Sequence, residues 1–183
     1  MGPDAKALEQ TTLTLPDGTR VVARPIQPHD MRALQRFHRR LSERSIYLRF
    51  FGVVPELSDE RARYFTHVDG HDRFAFIALD PDEPDEIIGV VRFDREAGTN
   101  TGEYAVIVED RWQGRGVGFA LTRLLIAAAR RRGYRSMYAL VLPENVRMIN
   151  LLRDLGLPVR SHWVDGMERI EVDISVPEQP SLA

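Results

Sequence analysis

The stretch Val108-Glu109-Asp110-Arg111-Trp112-Gln113-Gly114-Arg115-Gly116-Val117-Gly118 decides how the chain is read. It follows Glu103-Tyr104-Ala105-Val106-Ile107-Val108, a mostly apolar, β-branched segment with strand character. Beyond it, Val117, Ala120, Leu121, Leu124, Leu125 and Ala128 recur at helical spacing and form one apolar face. The glycines therefore occupy a turn between a strand and an amphipathic helix. Glycine lets backbone N–H groups approach a ligand closely, and a helix N-terminus favours an anion. Together they suit a phosphate or pyrophosphate; an ordinary tight turn is the other reading. Two familiar phosphate loops do not match. A nucleoside-triphosphate loop needs Gly-Lys-Ser/Thr where Phe119-Ala120 stand. A dinucleotide fingerprint needs Gly-x-Gly-x-x-Gly, which the spacing of Gly114, Gly116 and Gly118 does not supply.

Outward from the turn, the helix closes on Arg130, Arg131 and Arg132, cations suited to its dipole, with Gly133 as terminator. Residues 136–142 read as a strand, 145–155 as a helix ended by Gly156, and 159–164 and 169–174 as a strand pair across Asp165-Gly166. Upstream, strands 74–79 and 87–94 flank an acidic, turn-rich stretch, and 12–15 and 20–25 flank Pro16-Asp17-Gly18-Thr19. A helix begins near Pro28, with Met31, Leu34, Phe37 and Leu41 at helical spacing. Residues 42–51 mix aromatics and arginines without clean periodicity and read as a loop with a helical turn. A short helix follows from Ser58 through Tyr64 and Phe65. This order predicts the α/β class, with a mixed, mostly antiparallel sheet carrying helices on both faces. Residues 12–176 are expected to form one domain. Residues 1–11 read as a disordered N-terminus and 177–183 as a C-terminal tail.

Composition narrows the function. The 183 residues carry 25 basic and 27 acidic side chains, a net charge of −2, with 43% hydrophobic residues. That is an ordinary globular balance without the positive field of a nucleic-acid binder. Cysteine is absent, which removes disulfides, thiol nucleophiles and cysteine-ligated metals. His29, His38, His67, His71 and His162 are dispersed without ligand spacing, so no metal is implied. No apolar run reaches the ~18–20 residues needed to cross a bilayer. Met1-Gly2-Pro3-Asp4 lacks the features of a secretory signal, and Lys6 stands where a myristoylation motif needs Ser or Thr. A cytoplasmic protein with no membrane partner is the expectation.

Gln113-Gly114-Arg115-Gly116-Val117-Gly118 resembles the acyl-CoA signature Gln/Arg-x-x-Gly-x-Gly/Ala of the GNAT superfamily of N-acetyltransferases. The resemblance extends to Val108 ahead of the signature. It also takes in Asn145-Val146-Arg147-Met148 with Leu155-Gly156-Leu157, which is similar to the family's fourth-helix segment. It covers about residues 20–175. A narrower resemblance comes from Leu41-Ser42-Glu43-Arg44-Ser45-Ile46-Tyr47-Leu48-Arg49-Phe50-Phe51 after Arg24-Pro25-Ile26. These residues look like the catalytic domain of bacterial protein-lysine acetyltransferases that modify acyl-CoA synthetases. Residues 42–51 read either as substrate-side binding or as an aromatic segment packed beneath the sheet.

The resemblance implies a GNAT fold and direct attack of an amine on acetyl-CoA, with no metal. It implies that Gln113, Gly114, Arg115, Gly116, Val117 and Gly118 cradle the pyrophosphate, and that Ile107 and Val108 pair with the pantetheine arm. A backbone N–H near Val108 would serve the oxyanion. Asn145 reads either as a cofactor contact or as a helix N-cap. Glu103 occupies the position of the family's glutamate base, and its apolar downstream neighbours predict partial burial; the competing reading is a solvated strand-end carboxylate. Many relatives carry a tyrosine acid seven residues after the asparagine, where this chain has Leu152. A thiol of pKa ~8.5 leaves tolerably without such an acid. The acceptor expected is a protein lysine, such as one on an acyl-CoA synthetase. A small amine, or a sensor that binds acyl-CoA without turnover, is the alternative.

Overall fold

The computed structural model describes residues 10–177. The expectations for the two termini fall largely on residues 1–9 and 178–183, outside the described ones. Thr11, expected in the N-terminal stretch, instead opens the first strand, opposite Ala23.

The chain forms β1 (Thr11–Thr14), β2 (Arg20–Pro25), α1 (Met31–Arg40), α2 (Glu43–Phe50), α3 (Asp59–Thr66), β3 (Arg73–Leu79), β4 (Ile87–Arg95), β5 (Thr101–Val108), α4 (Val117–Arg131), β6 (Ser136–Val141), α5 (Val146–Asp154), β7 (Val159–Val164) and β8 (Met167–Asp173). Short 3₁₀ turns at Pro28–Asp30 and Asp110–Trp112 lead into α1 and out of β5. Among the described residues, eight strands form one sheet in the order β1-β2-β3-β4-β5-β6-β8-β7. All neighbours run antiparallel except β5 and β6, which α4 joins as a parallel crossover. Among the described residues no helix is long and apolar enough to cross a membrane.

One element departs from the sequence expectation. Residues 42–51 hold a two-turn helix, α2, rather than a loop with a helical turn. The Ser42 hydroxyl accepts from the Ser45 N–H at 3.1 Å and starts the helix. Phe51 closes it in the left-handed region at φ 60°. Only Ile46 in α2 is fully buried, so the helix lacks the wide apolar stripe that makes a helix visible as a pattern.

The sheet carries a core on each face. Phe74, Phe76 and Ala78 of β3 pack with α4 and α5, while Ala75 and Ile77 of the same strand face α1, α2 and α3. A strand covered on both faces needs apolar residues at every position, and β3 has them at Phe74-Ala75-Phe76-Ile77-Ala78. Near the β5–β6 junction, Phe93 stacks on Phe74 with ring centroids 5.0 Å apart and tilts against Tyr134 at 4.5 Å. Gly102 of β5 lies directly over Phe93. A Cβ there would stand 2.4 Å from the ring, so glycine is what lets the aromatic cluster close against β5.

Gly102→Ala is expected to push Phe93 out of this cluster and destabilise the fold by about 1–3 kcal/mol. A lowered thermal midpoint with retained secondary structure is the readout; an unchanged midpoint would contradict the packing described.

Candidate active site

β5 is paired with β4 as far as the Gly89–Val108 rung, but it pairs with β6 only at Thr101–Ser136, Gly102–Met137 and Glu103–Tyr138. Past Glu103 the two strands part, while β6 stays paired with β8. Backbone groups alternate in direction along a strand. The Glu109 N–H donates to the Ile88 carbonyl at 2.9 Å, so the main-chain groups of Ile107, at the next hydrogen-bonded rung, also face β4. Those of Val106 and Val108 therefore face the gap. This corrects the expected pairing of Ile107 and Val108 with a pantetheine arm: Val106, not Ile107, is the second residue presenting main chain to the gap. Ile107 contributes only its side chain to the cleft wall.

The gap is the centre of a cleft of about 580 Å³. Glu103 and Tyr104 lie toward one end, and Gln113, Gly114, Gly116, Val117 and Gly118 toward the other. Asn145 and α5 form a third side, and Ser45, Leu48, Arg49 and Phe51 bring α2 to the rim.

At the turn, Gly114 and Gly116 take φ of 72° and 94°, a left-handed conformation that disfavours other residues. A Cβ on Gly116 would also stand 2.8 Å from the Pro16 ring. Among the described residues, no acceptor bonds the backbone N–H groups of residues 114–118. Unsatisfied N–H groups at a helix N-terminus fit a phosphate or pyrophosphate. A Cβ on Gly118 would meet Leu151 at 3.4 Å and Val108 at 3.5 Å, ordinary contacts, so packing does not demand glycine there.

The Gln113 side chain is already engaged. Its amide nitrogen donates to the Val108 carbonyl at 2.9 Å and to the Ser45 hydroxyl at 3.0 Å, and its oxygen accepts from Arg147 at 2.6 Å. Gln113 thereby caps the carbonyl of Val108 and leaves that residue's N–H free in the gap. Arg115 is drawn toward the β1–β2 turn, 3.2 Å from Asp17, and lies over the Trp112 ring at 4.1 Å. Trp112 is buried beneath the turn, and its indole N–H has no partner among the described residues. Asn145 N-caps α5, accepting from the Met148 N–H at 3.3 Å, and also lines the cleft, so both readings of it remain compatible with its place.

Two carboxylates after β5 shape the turn. Glu109 is 4% exposed and meets Arg40 at 3.2 Å and Arg111 at 2.7 Å. Arg111 also reaches the buried Asp80 at 2.6 Å. Asp110 accepts from the Ser42 N–H, the Ser42 hydroxyl and the Ser45 hydroxyl at 2.9, 2.7 and 3.0 Å. Burial works to raise the pKa of Asp110, but these hydrogen bonds outweigh it and hold the carboxyl below its ordinary value. The Ser42–Asp110 and Ser45–Gln113 contacts fasten α2, missed as a helix from the sequence, to the glycine turn.

Glu103 lines the cleft at the last β5–β6 rung, but it is exposed, not partly buried as expected. Its side chain emerges where the sheet opens, so its apolar sequence neighbours do not cover it. Tyr104 points the other way into the core and hydrogen-bonds Thr122; burial raises its pKa well above the ordinary tyrosine value. Leu152, at the expected tyrosine position, is 1% exposed within the α4–α5 core. Residues 151 and 148, not 152, face the cleft from α5.

With this geometry established, comparisons with known proteins identify the family. The model of the Acetyltransferase (GNAT) family matches residues 33–157. A curated acetyltransferase of Pseudomonas aeruginosa is 32% identical over 144 residues, covering 78% of this chain and 77% of that one. Acetyltransferase Pat of Mycolicibacterium smegmatis is 32% identical over 171 residues, 87% of this chain but 48% of the relative, so the chain spans about half its length. The crystal structure of the GNAT domain of S. lividans PAT superposes with a TM-score of 0.85 at 36% identity, covering 91% of this chain and 98% of that one. The parted strands, the glycine turn and these likenesses agree: the chain belongs to the GNAT family of acetyltransferases, enzymes that transfer an acetyl group from acetyl-CoA to an amine.

Proposed function

We propose that this acetyltransferase modifies the side-chain amine of a protein lysine, with Glu103 as general base. The observation that carries the reading is the parting of β5 from β6. It aligns Glu103, the free Val108 N–H and the glycine turn along one cleft, with α2 on the opposite wall. Acetyl-CoA supplies the thioester carbon that the amine attacks and the thiolate that departs.

The residues of the chain have distinct tasks. Residues 114–118 offer their N–H groups to the pyrophosphate, and Val106 and Val108 offer main-chain partners to the pantetheine arm. A lysine side chain is almost wholly protonated at neutral pH, with pKa ~10.4, so it must lose a proton before attack. Glu103, exposed at the cleft, takes that proton through water. The Val108 N–H donates to the oxygen as negative charge develops there. No side chain of α5 supplies an acid at Leu152, and the thiolate leaves unassisted.

A protein acceptor is supported by the rim. Tyr47 and Phe51 of the α2 segment are 42% and 39% exposed, and Val53 just beyond is 91% exposed. Phe51 lines the cleft and the other two lie close to it in sequence; exposed aromatic and aliphatic side chains there suit a macromolecular partner. The likeness to bacterial protein-lysine acetyltransferases points the same way, with a lysine on an acyl-CoA synthetase as the first acceptor to try.

Thiol release from acetyl-CoA should occur with lysine-bearing proteins, rise with pH as the amine deprotonates, and fall about 10²-fold in kcat/KM in Glu103→Gln. Release with small amines only would overturn the acceptor, and an unaffected Glu103→Gln would overturn the base. Gly116→Ala, forced into a left-handed φ and against Pro16, should raise KM for acetyl-CoA about tenfold. An unchanged KM would contradict the cradle.

A further inference from the structure

Beside Glu103, on the α2 side of the sheet, four guanidiniums interleave with three aromatic rings. Arg49 lies over Phe50 at 4.8 Å, and Arg61 lies 5.1 Å from Phe50 and 5.8 Å from Phe65. Arg92 lies over Phe65 at 4.4 Å and Arg73 over Tyr64 at 3.8 Å. Counter-charge is short. Arg73 meets Asp94 at 3.4 Å, but Arg49, Arg61 and Arg92 have no carboxylate partner among the described residues.

Arg92 is the most confined of the four. It is 6% exposed, with one nitrogen donating to the Phe65 carbonyl at 2.9 Å and its Nε left without a partner. Burial pulls its pKa down to about 10, so it remains charged at neutral pH. Burial lowers Arg49 in the same way, while the charges of Glu103 and Asp94 pull it back up. Aromatic faces offset part of the cost of burying a cation, yet an unpaired buried charge remains unfavourable. An anion seated beside such a group would complete it.

There is room for one. Arg49 and Arg92 line a pocket of about 40 Å³ between the helices and the sheet, its remaining walls largely apolar. A water needs roughly 10–15 Å³ of such space, so a carboxylate fits. Arg49, Ala105 and Ile107 line both this pocket and the main cleft, which makes the pocket a side chamber of the acceptor region.

We propose that Arg49 and Arg92 form an anion subsite of the acceptor region, taking a carboxylate carried beside the amine that is acetylated. This rests on the amine-acceptor reading above. The carboxylate belongs either to an acidic residue flanking a target lysine or to a small amino acid that is itself the acceptor. Guanidinium is the fitting recognition group, because its planar fork stays charged and matches a carboxylate.

The test uses two matched pairs of acceptors with the full chain: lysine peptides flanked by glutamate or by glutamine, and 4-aminobutyrate against butylamine. Thiol release gives kcat/KM, and calorimetry gives binding to the protein loaded with CoA. In at least one pair the acidic member should exceed its neutral partner by about tenfold. The peptide pair would place the carboxylate on a protein, the small pair on a metabolite. Arg49→Gln should bring the ratio within about twofold, and Arg49→Lys should keep part of it. Equal members in both pairs, or a preference that survives Arg49→Gln, overturns the subsite while leaving acetyl transfer standing. Arg49-dependent binding of an acidic probe without thiol release upholds the subsite and overturns the transfer reading. No release and no binding preference overturns the subsite.

Discussion

The site depends on where β5 stops pairing with β6. Three rungs hold these strands together, after which β5 continues along β4 and β6 along β8. Main-chain groups left unpaired inside a fold are costly unless a partner or water meets them. Here the unpaired groups face a cleft, and the same parting exposes Glu103, opens the way to the glycine turn and creates the surface that α2 covers. Val106, Val108, Met148 and Leu151 pack around the opening from the α4–α5 side, so it is a supported feature of the core.

The two walls of the cleft are tied to each other. Ser45 and Ser42 of the α2 segment bond to Gln113 and Asp110 of the turn, and Arg147 of α5 bonds to the same Gln113. The signature glutamine therefore acts as a tie among three elements and as a cap on the Val108 carbonyl. Glu109, with Arg40 and Arg111, anchors the start of the turn to α1 and to the β3–β4 connection. The α2 wall, the glycine turn and α5 thus share hydrogen-bond partners, which fixes the distances between them.

Much of this was legible locally. Apolar and β-branched runs between turn residues marked the strands, helical spacing marked α1 and α4, Gly156 marked the end of α5, and the Gly114–Gly116–Gly118 spacing marked the turn. α2 escaped because its apolar signal is a single buried residue, Ile46; the cap at Ser42 was the one clue available. Glu103 looked half-buried because its sequence neighbours are apolar, yet exposure is set by what lies across the sheet. Ile107 was given a backbone role that belongs to Val106, since the phase of a strand's hydrogen bonds depends on register with β4. The arginine cluster was out of reach, because Arg49, Arg61, Arg73 and Arg92 come from four elements with no shared motif.

By itself, then, the sequence determined the class of the fold, the order of nearly all its elements, the glycine turn between β5 and α4 and the family resemblance. These rest on interactions between residues near in the chain: side-chain periodicity, helix caps, and the backbone freedom of glycine. Only the tertiary structure decided where β5 and β6 separate, which main-chain groups face the gap, and that Glu103 stands in the open. It alone gathered four guanidiniums among aromatic rings beside that carboxylate. Those features depend on strand register and on charges brought together from distant segments, and neither leaves a periodic trace in the chain.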